Sequence, residues 1–113
     1  MGTGSVKREG LGYTPSLDGL VVALAKDYIR RSNAIKEESS GKRTLMEYRY
    51  INCRMEEAAA EIVGDRLATV FIEEIGEGVG YAGSRVDCMT EPQYKRRKLD
   101  VKLNIARKLH LLD

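Results

Sequence analysis

Apolar residues recur at helical spacing along most of this chain, and the periodic stretches are separated by residues that stop helices. From Ser16, the positions Leu17, Val21, Leu24, Tyr28 and Ile35 fall on one side of a helix, with Lys26, Asp27, Arg30 and Arg31 turned outward. This predicts one amphipathic helix to about Lys36. The run 37–43 is polar, contains Gly41 and reads as a loop. Thr44 and Glu47 have capping-box spacing and lead into Leu45, Tyr48, Ile51, Met55, Ala59 and Ile62, a second long helix ending near Gly64.

Asp65 then serves as an N-cap for a third helix, with Leu67, Val70, Phe71 and Ile75 on one face and Gly76 just past its end. The β-branched and aromatic run Thr69-Val70-Phe71-Ile72 also fits a buried strand. The flanking punctuation and the lack of a partner strand elsewhere favour the helix. Residues 82–89 provide about two further helical turns, with Val86 and Met89 on one side and Arg85 and Asp87 toward solvent. The last helix has the best-marked start: Thr90 accepts from first-turn amides, Gln93 reaches back to the Thr90 amide, and Pro92 sits where a missing N–H does no harm. The expected fold is all-α, a small domain of four to five helices over 15–113 closing in a helix-turn-helix-like pair at about 79–112. Residues 1–14, with four glycines and little to bury, read as a flexible arm.

Composition narrows the classes. A chain of 113 residues, 42% hydrophobic and 32% charged, supports one ordinary core and no interdomain cleft. No apolar stretch approaches the roughly 20 residues that span a bilayer, and the start lacks the apolar core of a signal peptide, so no membrane association and a cytoplasmic location are expected. Cys53, Cys88 and His110 are too few soft ligands for a closed four-ligand zinc site, so no metal is expected.

Gly78-Val79-Gly80-Tyr81-Ala82-Gly83 fits G-x-G-x-x-G after a strand-like run, as a dinucleotide-binding turn requires. The βαβ context is missing and a basic helix follows. A P-loop fails because Arg85 follows Ser84 where the Lys-Ser/Thr pair belongs. A glycine-rich turn between closely packed helices is the preferred reading, and no cofactor is expected.

Charge is unevenly distributed. Residues 90–113 hold seven Lys/Arg against three acids, a net +4, whereas the first 89 hold twelve Lys/Arg against fourteen acids, a net −2. A basic tail on an acidic body suits phosphate contact; the plainer reading is a solvated helix face favoured by the macrodipole. In a helix-turn-helix, the first turns of the second helix enter the major groove. Gln93, Lys95, Arg96 and Arg97 would then lie at the DNA, with Gln suited to adenine and Arg to guanine, while Arg85, Lys98 and Lys102 would hold phosphates.

Residues 78–112, especially Gly80-Tyr81, Met89 through Lys98, and Ile105-Ala106-Arg107-Lys108-Leu109, resemble the C-terminal part of small phage transcriptional regulators of the ArpU/RinA type. The resemblance covers about a third of the chain. It implies a domain akin to region four of sigma factors and a DNA-binding regulator from a prophage or mobile element.

In the last helix Tyr94, Val101, Ile105, Leu109 and Leu112 form a core stripe, while Leu99, Leu103 and Ala106 lie away from it. The second face packs either on another helix of the same chain or on a second copy in a homodimer. Catalysis finds little support. His110 lies near the end of the sequence, no nucleophile has an obvious partner, and the acid pairs Glu56-Glu57 and Glu73-Glu74 diverge by about 100° on a helix. The expected function is a non-enzymatic, DNA-binding transcriptional regulator whose partner is double-stranded DNA. The alternative is a homo-oligomeric helical scaffold or protein-interaction protein. A protein partner on the acidic helices is a further possibility.

Overall fold

The alanines at 58–60 lie in the longest helix of the protein, where side chains ending at Cβ let neighbouring helices approach closely. In the computed structural model, which describes residues 12–112, five α-helices and one 3-10 turn build a small all-α domain. They are α1 (Pro15–Lys26), α2 (Tyr28–Glu37), α3 (Lys42–Val63), α4 (Asp65–Glu77) and α5 (Glu91–Lys108), with the 3-10 turn at Tyr81–Gly83. Helix α3 is the hub, packing on α2, α4 and α5, and α1 crosses α4 and α5. Met55, Phe71, Ile72, Ile75, Val21, Tyr94, Val101 and Ile105 are buried together at the centre. Residues 65–77 are therefore helical, and no strand occurs among the described residues.

The single helix expected from Ser16 to Lys36 is two helices. Asp27 leaves the helical region at φ −94°, ψ 2°, and the chain restarts at Tyr28. Neither glycine nor proline marks the break; tertiary contacts make it. Gly76 of α4 presses on the α1 backbone so closely that a Cβ there would lie 2.7 Å from the Ala25 carbonyl group. The Leu24 carbonyl accepts from Arg31 Nη2 at 2.6 Å. Arg31, expected to face solvent, is buried with its Nε donating to Asn52 Oδ1 at 2.7 Å. Burial lowers its pKa, and it has no carboxylate in contact among the described residues.

Three predicted caps are also corrected. Helix α3 starts at Lys42 with Gly41 as N-cap, so Thr44 lies inside it and the Thr44/Glu47 capping box does not form. Gly64, with φ 85° and ψ 162°, supplies the corner between α3 and α4, leaving Asp65 as the first residue of α4. Gly76 is inside α4, which ends instead at the left-handed Gly78. Of the arm expected over 1–14, residues 1–11 lie outside the described residues. The rest is fastened: Thr14 Oγ1 caps α1 by accepting from the Leu17 amide, and Tyr13 donates to Asp18 at 2.7 Å.

The two helical glycines predict opposite responses. Gly76→Ala should destabilise the protein by about 1–3 kcal/mol, because the α1 backbone has to move. Gly19→Ala, where an added Cβ meets nothing within 4 Å, should stabilise it by about 0.5–1 kcal/mol through helix propensity. Urea denaturation of both variants measures the contrast; equal shifts would contradict the packing described here.

Candidate nucleic-acid interface

The capping box predicted at Thr90 is present. The Gln93 amide donates to Thr90 Oγ1 at 3.4 Å, and the Thr90 amide donates to Gln93 Oε1 at 2.9 Å. Tyr94, Val101 and Ile105 are buried as the periodicity requires, and Leu109 and Leu112 pack against the same core.

What sets the rotation of α5 is a buried acid. Glu74 is 1% exposed. Its Oε1 accepts from the Ser84 hydroxyl at 2.6 Å and the Tyr94 hydroxyl at 2.8 Å. Its Oε2 accepts from the Arg85 amide at 2.7 Å and Arg85 Nε at 3.2 Å. Burial alone would raise the Glu74 pKa, but these donors outweigh it and hold the pKa below the ordinary carboxylate value. Burial and the bond to Glu74 push the Tyr94 hydroxyl up to about 12, so it stays a donor at neutral pH.

The same bonds explain why the helix expected over 82–89 does not form. Glu74 takes the Arg85 amide and Ser84 Oγ takes the Val86 amide, two donors a helix would need. The segment is a 3-10 turn followed by an irregular loop, so α5 has no preceding helix of the kind a helix-turn-helix uses. The G-x-G-x-x-G run shapes this α4–α5 turn, with α4 rather than a strand before it.

The seven residues expected at DNA divide into two groups. Arg85 pairs with Glu73 at 3.0 Å as well as with Glu74. Lys98 donates to the Val79 carbonyl, lies 5.6 Å from the Tyr94 ring centroid, and has its pKa lowered by burial. Lys102 pairs with Asp18 at 2.9 Å, tying α5 to α1. These three cations hold the fold together. Gln93 is exposed, though its side-chain oxygen is used in the cap. Lys95 and Arg96 are open, with 68% and 77% of their side chains exposed, and carry only i,i+4 pairs to Glu91 (3.0 Å) and Asp100 (3.6 Å). Arg97 is exposed and makes no ion pair among the described residues. Gln93, Arg96 and Arg97 share a shallow hollow with Pro92 and Asp100.

The chain matches no family model, no curated protein and no solved structure. The second apolar face of α5 is largely used within the chain. Leu103 and Ala106, expected at a dimer interface, are buried in its own interior, and only Leu99 is exposed, at 44%. No helix is long and apolar enough to cross a membrane, and no group of three His, Cys, Asp or Glu assembles among the described residues.

Helical periodicity puts Glu73 and Glu74 on diverging faces and by itself gives neither acid a role. The available signal was finer: Glu74 is seven residues from Leu67 and three from Phe71, which puts an acid on the apolar stripe of α4.

Glu74→Gln should cost about 2–3 kcal/mol, because a neutral amide replaces a charge-assisted acceptor in a buried network. Wild-type stability should fall as pH drops from the ordinary carboxylate value through the lower folded-state pKa of Glu74, since unfolding then takes up a proton. In the variant this acid-side loss should be smaller. Urea midpoints between pH 3 and 7 test both points; identical pH profiles would remove Glu74 from its assigned role.

Proposed function

We propose that this protein binds duplex DNA through the solvent-facing side of the first turns of α5. The observation that supports this reading is the segregation of charge along one helix. Tyr94 and Lys98 are drawn inward, while Lys95, Arg96 and Arg97 fan across the open side with no part in the core. A capped helix presents them on a rigid support, which lowers the entropy lost when they meet phosphates. Their intrahelical ion pairs are exposed and worth only a few tenths of a kcal/mol each, so phosphates can displace them. Arg85, Lys98 and Lys102 leave the proposed contact set because they have structural partners.

The docking is not that of a helix-turn-helix, which takes base-reading geometry away from the proposal and leaves phosphate contact as its main term. A transcriptional regulator of phage or mobile-element type is the finer form of this reading and stands on the resemblance of residues 78–112. The scaffold alternative depended on a free Leu99/Leu103/Ala106 face, and two of those side chains are covered.

Three phosphate contacts predict a log–log salt slope near −2.7, so affinity for a mixed-sequence duplex should fall roughly 40-fold between 50 and 200 mM salt. Fluorescence anisotropy measures this. The triple variant Lys95→Gln, Arg96→Gln, Arg97→Gln should lose most of the binding and flatten the slope while retaining its helical circular dichroism. Absence of binding at 50 mM salt by the folded protein would overturn the proposal.

A further inference from the structure

The acidic body inferred from whole-segment charge is in fact divided. Residues 28–54 hold seven Lys/Arg against three Asp/Glu, while 55–89 hold two against eight. The positive part is α2 with the first half of α3, away from the α5 cations in sequence and on different helices. Along α3, Arg43, Met46, Tyr50 and Arg54 recur every three or four residues and so form one stripe on the outer side. Met46 is 60% exposed and Tyr50 50% exposed, two of the largest apolar exposures among the described residues. Between them and Ile51 runs a shallow groove of about 460 Å³, with Arg43 and Glu47 completing its lining.

Two details argue that a partner covers this stripe. Arg54 lies over the Tyr50 ring, 5.8 Å from its centroid, so the exposed ring is held beside a partly buried cation that also pairs with Glu57 at 2.8 Å. Lys42 and Arg49 fall on the flank beside Met46, are exposed, and make no ion pair among the described residues. Residues 42–54 contain four cations and one acid, Glu47, which stands on the opposite flank. Apolar anchors edged by unpaired positive charge match a helix that carries apolar residues on one side and Asp or Glu beside them. Tyr, Met and Arg are also the residue types enriched at the centres of protein interfaces.

We propose that the outer face of α3 is a docking site for an acidic amphipathic helix of a protein partner. The apolar side chains of that helix lie over Met46, Tyr50 and Ile51, and its carboxylates face Lys42 and Arg49. Single-stranded nucleic acid fits less well, because the groove is mainly apolar and Glu47 lines it. This site is independent of the α5 surface.

The test is selection of a displayed random 15-residue peptide library on the whole protein, followed by synthesis of the enriched peptides. The expected peptides carry apolar residues at three- and four-residue intervals with Asp or Glu between them. Their binding should fall at least 10-fold in Met46→Ser/Tyr50→Ser, whose folding is checked by urea denaturation. Lys42→Glu/Arg49→Glu, which leaves the apolar groove intact, should weaken the same peptides and restore binding to versions with Lys in place of Glu. No enrichment, or peptides that bind both double variants normally, would overturn the proposal. So would tight binding of an oligothymidylate that the Met46/Tyr50 variant loses, or a concentration-dependent dimer that the same variant abolishes, since each assigns the face to another occupant.

Discussion

A buried carboxylate is the constraint on which the α4–α5 half of this protein depends. An ionised acid with 1% exposure is costly to desolvate, by several kcal/mol, unless its lone pairs are met. Glu74 meets them with Ser84, Arg85 and Tyr94, three residues from the segment that follows its own helix. One acid thereby fixes the α4–α5 loop and the rotation of α5 together. Tyr94 is turned inward, and Lys98, four residues on and hence on the same side, follows it toward the Val79 carbonyl. Residues 95–97 are left outside.

Much of this architecture was legible in the sequence because it rests on local chemistry. Thr90, Pro92 and Gln93 mark the start of α5 through bonds made within four residues, and the long apolar repeat around Met55 marks α3. What the sequence concealed depends on distant contacts. The break at Asp27 is made by Gly76, some fifty residues away, and by Arg31 reaching the Leu24 carbonyl. The failed helix over 82–89 had adequate periodicity, yet Glu74 takes one of the amides it needed. Helical propensity is a weak preference, and a charge-assisted bond to a buried carboxylate overrides it.

The candidate site was legible to the extent of its address and not of its membership. In sequence the basic run at the start of α5 is a single unit, because a sequence shows charge without showing what each charge touches. In three dimensions Arg85, Lys98 and Lys102 join elements of the fold, while Lys95, Arg96 and Arg97 project. Averaging charge over the first 89 residues had a similar effect. It hid a positive α2–α3 region behind the acids of 55–89, and with it the exposed Met46–Tyr50 stripe.

Amide chemical-shift mapping of the isotopically labelled protein, titrated with a short mixed-sequence duplex at low salt, locates the DNA-binding surface directly. DNA docking on α5 should give the largest perturbations at the amides of 93–99, smaller ones at the loop 84–90, and little change along 42–54. Perturbations centred on 42–54, or none at all, would contradict the assignment of the DNA-binding surface to α5.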